Sequence, residues 1–431
     1  RNREMNKSIV LVLSALLFLS VVVVAQEYGC SGTSNELPFN TDEEVLVNSV
    51  PNGKLYTKGS GNNLIHVMHL YGTPYEKGKA HGLLLKAPMT EFIDEFFDYV
   101  GDMINSVLDK LPKFLQDAID KYGPIIALDI TYELTKPYTP AHFEEELQGL
   151  ADGSGIELMQ LKRIQMFPEL IKAACTIVGS WSSSSKDGHL HQLRALDFGL
   201  LPNPMWKYPM LAIYHQNASE PGQGHSFASL SWFGMIGSVT AYSPVMGISE
   251  KVYLSYNGTA SRSGIPFHYL MRDIVNFDSS LQDAENRINT AHRTCSVFLG
   301  IGSPQENAFR ACFYGHDGVP CYDDQDYPYY LPEHPLLSGT VYIDKHMQPS
   351  RDPCLGAMME AFHGNMTAEL FARQVVNRLQ TGDIHIAAYD YHANVVYVAI
   401  AGADPANPKN VLPAHQRQFF QMDMTKLFAL E

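Results

Sequence analysis

The spacing of hydrophobic and polar residues divides the chain into a helical first part and a strand-rich remainder. Within residues 89–111 the apolar side chains recur every three or four positions, which predicts an amphipathic helix. Residues 27–63 are rich in Asn, Gly, Ser, Thr and Pro and lack this periodicity, which predicts a loop. The other elements predicted before residue 174 are a strand at 64–70 and helices at 113–122, 141–153 and 156–171.

After residue 174, short strand-like runs dominate and are separated by Gly, Pro, Ser and Asn clusters. A helical front followed by a strand-rich back with interleaved helices predicts an α+β protein built in layers. The predicted strands are 176–181, 189–198, 209–216, 226–232, 238–242, 246–254, 295–300, 309–315, 339–344, 384–391 and 394–401, and the predicted helices are 269–275, 280–291 and 368–379.

The apolar stripe of the helix at 89–111 has two interpretations. Its members include Phe92 and Phe96, and an aromatic amphipathic helix can lie on a membrane surface and give access to a lipid substrate. The same spacing is also typical of a helix that packs on a protein core. The core interpretation is favoured, and access to a membrane surface is the alternative.

The first 25 residues resemble a targeting signal. Met5 and Lys7 precede the apolar run 9–25, which is typical of a secretory signal peptide and shorter than the roughly 20 apolar residues that a spanning helix needs. An uncleaved membrane anchor is the alternative. Three potential glycosylation sites, at Asn217, Asn257 and Asn365, agree with a secreted or lysosomal glycoprotein.

Composition narrows the class of protein further. Lys and Arg total 31 against 46 Asp and Glu, a net charge of −15, so a nucleic-acid partner is not expected. Hydrophobic residues make up 45 % and charged residues 18 %, which is enough apolar material for a large core. Six cysteines in 431 residues are too few for a disulfide scaffold.

The usual catalytic signatures are missing from the sequence: there is no G-x-S-x-G elbow, phosphate-binding loop, H-E-x-x-H or C-x-x-C. The remaining candidate is Cys175, at the boundary between helices and strands, with Arg194 and Asp197 on the next predicted strand. If the bond before Cys175 is cut, its own α-amine can accept the thiol proton. Arginine would favour the thiolate, and aspartate could hold the ammonium group. A buried structural cysteine remains the alternative.

The motif Cys175-Thr176-Ile177-Val178, followed by Gly188-His189 and by Arg194-Ala195-Leu196-Asp197-Phe198, resembles a known group of enzymes. It is similar to the acid ceramidase and N-acylethanolamine acid amidase group of N-terminal-nucleophile hydrolases, and to the related acyl-CoA:isopenicillin N acyltransferases. The closest resemblance is to acid-ceramidase-like secreted proteins. Segments 70–82, 145–153 and 381–385 extend the resemblance over residues 64–401.

The resemblance implies a four-layer αββα sandwich with a mainly helical N-terminal subunit. Self-cleavage before Cys175 would divide the chain into a signal peptide, 1–25, a helical segment, 26–174, and a strand-rich catalytic segment, 175–431. Cys30 and Cys354 resemble the pair that links the two subunits in acid ceramidase, and a bond between them would keep the fragments together. Cys312 and Cys321 could close a small loop or be free thiols, and both readings stay open.

By the same resemblance, Cys175 is the nucleophile and Arg194 and Asp197 are active-site residues. Asp344 stands where ceramidase-like enzymes carry an asparagine of the oxyanion hole, and Arg351 resembles a second active-site arginine. A carboxylate at position 344 would repel an oxyanion unless it were protonated. No cofactor or metal is implied.

The activity implied is hydrolysis of the amide bond of a small-molecule N-acyl amide with a lipid-like acyl group, through a thioester on Cys175. Two alternatives stay open. The thioester could pass its acyl group to an amine, as in the acyltransferases. The chain could also be a secreted binding protein that kept the fold and lost turnover, which Asp344 favours.

Overall fold

The computed structural model describes residues 30–106, 108–110, 113–170, 173–216, 224–259 and 261–430. The predicted signal peptide and the glycosylation site at Asn217 lie outside these residues. Asn257 and Asn365 are both exposed. No helix among the described residues combines the length and the apolar character needed to cross a membrane.

The described strands alternate between short antiparallel hairpins and longer connections. In chain order they are β1 Val45–Val50, β2 Gly53–Ser60, β3 Asn63–Leu70, β4 Ala174–Ser180, β5 His191–Asp197, β6 Pro209–Tyr214, β7 Phe227–Trp232, β8 Thr240–Tyr242, β9 Gly247–Val252, β10 Val297–Ser303, β11 Ala308–Tyr314, β12 Cys321–Tyr322, β13 Thr340–Ile343, β14 His385–Asp390, β15 Val395–Ile400, β16 Gly402–Asp404, β17 Asn407–Leu412 and β18 Phe420–Asp423.

The described helices fall mainly before β4 and between the later strands. They are α1 Pro74–Leu84, α2 Lys86–Ser106, α3 Lys113–Tyr122, α4 Ile126–Thr135, α5 Ala141–Ser154, α6 Leu158–Leu170, α7 Phe267–Phe277, α8 Leu281–Thr290, α9 Pro353–Phe362, α10 at 368–379 and α11 Met424–Ala429. The middle of α10, Phe371–Val375, is a π-helical turn.

Two sheets stack face to face. One has the strand order β1-β2-β3-β6-β7-β8-β9-β10-β11-β12, and the other has the order β13-β4-β5-β14-β15-β18. Neighbouring strands are antiparallel except β3 and β6, which pair in parallel with His66 opposite Met210. The part of the chain before Cys175 therefore supplies three strands to a sheet whose other strands come from after it.

Alternating side chains place apolar residues on both faces of each sheet. Ile177 of β4 and Leu211 of β6 belong to the core between the sheets, whereas Val178 packs against α9 and α10. Phe92 and Phe96 of α2 are fully buried in the core that covers the other sheet. The order is therefore helices, sheet, sheet, helices, which confirms the predicted α+β layers, and the stripe of α2 faces the core.

The loop predicted at 27–63 is wrong, because β1 and β2 lie within it. β1 is an edge strand whose side chains are mostly exposed, so apolar and polar positions need not alternate along it. The disulfide between Cys30 and Cys354 and a second one between Cys312 and Cys321 are both present. The small loop closed by the second pair resolves the alternative that the sequence left open.

Helix α1 was not predicted because its buried face combines glycine with Lys77 and His81 and therefore has no apolar stripe. A Cβ at Gly78 would lie 1.9 Å from the backbone oxygen of Glu146, and one at Gly149 would lie 2.0 Å from the oxygen of Tyr75. Helices α1 and α5 therefore approach backbone to backbone, which only residues without side chains allow. Thr73 begins α1 by a capping box with Glu76.

Candidate active site

Strands β4 and β5 bring the predicted nucleophile and the first predicted arginine together. Cys175 pairs with Leu196, and Ile177 pairs with Arg194. Residues directly opposite in a sheet share a face, and so do alternate residues along one strand, so Cys175 and Arg194 point to the same side. Arg194 Nη2 donates to Cys175 Sγ at 3.4 Å.

Glu250 of β9 completes this contact. Arg194 Nη2 lies 3.3 Å from Glu250 Oε2, and the thiol of Cys175 donates to the same oxygen at 3.8 Å. Burial raises the pKa of the Cys175 thiol, and the Arg194 guanidinium opposes this increase. Burial also raises the pKa of Glu250 against the pull of Arg194. The cluster thus holds a thiol, a cation and a proton acceptor in one buried place.

The other terminal nitrogen of the Arg194 guanidinium, Nη1, is held by a histidine. Arg194 Nη1 donates to His385 Nε2 at 3.1 Å, and the hydroxyl of Thr240 lies 2.9 Å from the same nitrogen. Burial, aided by the charge of Arg194, lowers the pKa of His385 well below its usual value, so this ring is neutral and accepts. The ring of Trp232 stacks on His385 with centroids 5.2 Å apart. The guanidinium is therefore held in one orientation toward Cys175.

Asp197 lies at the end of β5, opposite Ala174 in the strand register. Its carboxylate accepts from the Thr381 hydroxyl at 2.5 Å and from the backbone N–H of Gly382 at 2.8 Å. Burial, followed by the charge of Asp383, raises the pKa of Asp197 to about 6. The carboxylate is thus placed beside the residue that would be cut from Cys175.

Asp344 directly follows β13, whose Ile343 pairs with Ile177. Its carboxylate accepts from Ser350 Oγ at 2.6 Å, from Gln348 Nε2 at 2.7 Å and from the backbone N–H of His346 at 3.1 Å. Burial alone would raise the pKa of Asp344, but hydrogen bonds from His346 and Ser350 outweigh it and lower the pKa. The side chain is therefore an ionised acceptor.

The structure brings Cys175, Arg194 and Asp197 to one end of the second sheet, and Asp344 directly follows the neighbouring strand β13. Arg351 is exposed. Among the described residues, the hydrogen-bond partners of Cys175 Sγ are Arg194 and Glu250. Sequence reasoning missed Glu250 and His385. The signal for Glu250 was a charged pair, Glu250 with Lys251, inside a mostly apolar predicted strand.

One group of described residues has the spacing of metal ligands. Ligand atoms of Asp344, His346 and Asp352 lie within 4.8 Å of one another. Asp352 already accepts from the backbone N–H of Cys354 as the cap of α9, and Asp344 is saturated by the donors described above. These side chains therefore have structural partners of their own.

A cavity of about 80 Å³ lies next to the Cys175 cluster, with Arg194, Glu250 and Ala173 in its wall. The rest of the lining is mostly apolar, and a carbon chain could occupy it. Its apolar lining includes Phe167, Phe198, Met205, Met235, Val252 and Phe267.

Cys295, which lies outside the two disulfides, lines the same cavity. Its thiol donates to Glu169 Oε2 at 3.1 Å, and Arg262 Nη1 donates to its sulfur at 3.0 Å. Glu169 also accepts from the backbone N–H of Phe267 at 2.8 Å, and burial raises its pKa. Cys295 in the cavity wall therefore has an arginine and a glutamate as partners, as Cys175 next to the cavity has.

Comparison with known proteins shows the family to which the chain belongs. No protein-family model matches the chain. Protein dcd1A of Dictyostelium discoideum is 45 % identical over 438 residues, which cover 98 % of this chain and 99 % of that protein. The chain belongs to the dcd1 family.

The chain is also related to acid ceramidase. The enzyme of Pan troglodytes is 23 % identical over 310 residues, 67 % of this chain and 71 % of its own length. This match confirms the resemblance seen in the motifs around Cys175. A solved structure of the Caenorhabditis elegans N-acylethanolamine-hydrolyzing acid amidase ortholog covers 57 % of this chain and 100 % of its own, with 11 % identity and a TM-score of 0.37.

Proposed function

We propose that this protein is a self-processing cysteine amidohydrolase. It cuts its own chain between Ala174 and Cys175, and it then hydrolyses linear amides of N-acylated, lipid-like substrates through a thioester on Cys175. The observation that carries the proposal is the contact of Cys175 Sγ with both Arg194 and Glu250 beside an apolar cavity. Relationship to acid ceramidase supports the reaction class.

Self-cleavage needs a proton acceptor other than the α-amine, because the nitrogen of Cys175 is still an amide. Glu250 Oε2, 3.8 Å from the sulfur, serves this purpose, and its raised pKa makes transfer from the thiol less unfavourable. The sulfur bonds to the carbonyl carbon of Ala174 while the carbon–nitrogen bond breaks, and the nitrogen leaves as an amine with a proton. Water then hydrolyses the thioester and restores the thiol.

In the cleaved protein the α-amine of Cys175 takes over as base. Its ordinary pKa of about 8 allows it to accept the thiol proton and return it to the leaving amine. The sulfur attacks the substrate carbonyl, the amine leaves, and water releases the acid. Asp197, opposite Ala174 in the strand register, holds the resulting ammonium group.

Asp344 has a different part in this scheme from the asparagine of ceramidase-like enzymes. Its carboxylate has a lowered pKa and accepts from Ser350 and Gln348, so it cannot donate to an oxyanion. We assign it to positioning the segment 344–350 beside β4. A catalytic part for Arg351 remains a prediction from the sequence.

The proposal includes a secreted or lysosomal location. Disulfides persist in oxidising compartments, and the bond between Cys30 and Cys354 joins the segments on either side of the cleavage site. It would keep the two fragments associated. The exposure of Asn257 and Asn365 is compatible with glycosylation.

The test is intact-mass analysis and N-terminal sequencing of the secreted protein after acidification and reduction. A new terminus at Cys175, absent from the Cys175→Ala variant, supports the proposal and justifies a screen of N-acyl amides. A single uncut chain that begins near Gln26 under every condition overturns it and favours a binding protein of the same fold.

A further inference from the structure

The cavity beside Cys175 contains polar groups that the proposed mechanism does not use. Trp232 Nε1 and both ring nitrogens of His268 have no hydrogen-bond partner among the described residues. Trp232 is 4 % exposed and His268 is 1 % exposed, and both line the cavity. Buried polar groups are nearly always paired in folded proteins, so these nitrogens indicate a polar atom in the ligand.

The imidazole of His268 is held in place by its surroundings. His268 lies in the first turn of α7, and its backbone oxygen accepts from the N–H of Ser238 at 3.0 Å. Gly237 makes room for the ring, because a Cβ at this position would lie 1.9 Å from His268 Cδ2. Burial lowers the pKa of His268 to about 3, so the ring is neutral even in an acidic compartment and offers one donor and one acceptor.

Trp232 approaches the cavity from the end of β7. Its indole stacks on His385, which accepts from Arg194. The indole nitrogen can only donate. Together, Trp232 and His268 therefore present donors and one acceptor within an otherwise apolar cavity, close to the residues that hold Cys175.

We infer that the acyl group of the substrate carries a hydroxyl group, which Trp232 and His268 recognise inside the cavity. This inference rests on the proposed amidohydrolase function and specifies its substrate class. A hydroxyl oxygen can accept from an N–H and donate to the free nitrogen of the imidazole, which satisfies both kinds of group.

The first test compares a saturated N-acyl amide with a series of amides of the same chain length. Each member of the series carries one hydroxyl group, at a different position along the acyl chain. The wild-type protein is expected to prefer the best hydroxylated substrate by about tenfold in kcat/KM, since the plain chain leaves buried nitrogens unpaired. The preference should be lost in Trp232→Phe and in His268→Phe. Trp206→Phe is the matched control, because Trp206 does not line the cavity, and it should retain the preference.

The ratio of the kcat/KM values for the hydroxylated and the saturated substrate can still be compared if a variant loses activity toward both. Equal rates for both substrates in the wild type, or an unchanged ratio in both cavity variants, would overturn the inference and leave the amidohydrolase intact.

A binding measurement distinguishes failure of the hydroxyl inference from failure of the proposed amidohydrolase function. The Cys175→Ala protein is titrated by calorimetry with a hydroxylated fatty acid and with the saturated acid of equal length. Tighter binding of the hydroxylated acid by about tenfold, lost in the added Trp232→Phe change, supports the inference without turnover. If this preference is present while the wild type hydrolyses neither amide, the proposed function fails and the hydroxyl-recognising cavity stands. Equal binding of both acids counts against the cavity.

Discussion

Two cysteine clusters border the cavity. They contain the same three types of residue, but the two cysteines occupy different positions along the backbone. In both, an arginine nitrogen lies within 3.4 Å of the sulfur, and the thiol donates to a glutamate oxygen at 3.8 Å or less. The two clusters are Cys175 with Arg194 and Glu250, and Cys295 with Arg262 and Glu169.

Their positions in the chain make them suited to different tasks. Cys175 is the second residue of β4, directly after the predicted cleavage point, and Arg194 beside it is completely buried. Cys295 lies between α8 and β10 with a left-handed φ of 56°, and its thiol also donates to the backbone oxygen of Glu169 near the end of α6. The second cluster ties a helix end to a loop. In the proposed function, it is therefore the backbone position of Cys175, more than the chemistry of its neighbouring side chains, that distinguishes it from Cys295.

The largest expected effect separates the two cysteines directly. Cys175→Ala should abolish amide hydrolysis, a loss of at least about 10³-fold in kcat/KM, because the nucleophile and its α-amine act together. Cys295→Ala should reduce the same parameter much less. Steady-state kinetics on one N-acyl amide gives both values. A comparable loss in Cys295→Ala would mean that the second cluster takes part in the chemistry.

The two glutamates provide the next comparison. Glu250→Gln should slow self-cleavage by about 10²-fold, since the proton acceptor beside Cys175 is removed. Mass spectrometry over time measures the rate. Glu169→Gln should instead lower the free energy of unfolding by about 1–3 kcal/mol, because Glu169 Oε2 accepts from Cys295 and pairs with Arg262 in a fully buried place, and the amide nitrogen of glutamine can accept from neither. Urea unfolding of the uncut Cys175→Ala protein checks this, and the reverse pattern would contradict the assignment.

A smaller effect is the pH dependence of the free energy of unfolding that Asp197, near Cys175, should cause. Burial and the charge of Asp383 raise the pKa of Asp197 to about 6, against about 4 in an unfolded chain. The folded protein thus holds the proton more tightly, and this stabilisation is present below about pH 4 and lost as the pH rises to 6.

Asp197→Asn in the Cys175→Ala background should remove this dependence. Between pH 4 and 6 the free energy of unfolding of the parent should fall by about 2 kcal/mol more than that of the variant, as measured by urea unfolding. Parallel curves would show that Asp197 does not bind this proton in the uncut protein.

The smallest effect on activity is expected from the disulfide between Cys30 and Cys354. Cys354→Ala should leave kcat/KM near the wild-type value, because Cys354 lies on α9, outside the cavity lining, and the pairing of β3 with β6 also holds the fragments. On a non-reducing denaturing gel the cleaved wild type should migrate as one species and the variant as two. A variant that loses activity would make the disulfide part of the geometry around Cys175.

Much of the fold could be predicted because hydrophobic spacing was clear in α2, β5 and most later strands. Helix α1 was missed because glycines make its contacts with α5 and leave no apolar stripe. Strand β1 was missed because apolar and polar residues do not alternate along an exposed edge strand. In the candidate site, Arg194 was found through its motif. Glu250 and His385 come from strands remote in sequence: β9 of the facing sheet brings Glu250 to Cys175, and β14, next to β5 in the same sheet, brings His385 to Arg194. Such long-range partners leave little local signal.

The parallel pairing of β3 with β6 connects the two fragments that the proposed cleavage would produce, and it therefore affects how the cleaved molecule would unfold. Once the bond before Cys175 is cut and the disulfide is reduced, unfolding becomes the dissociation of two chains. Stability then depends on protein concentration, and refolding needs a bimolecular encounter between fragments. The bond between Cys30 and Cys354 keeps the process unimolecular. If the proposed cleavage occurs, the ten-stranded sheet is assembled by a continuous chain, and fragments that have separated must associate again to re-form it.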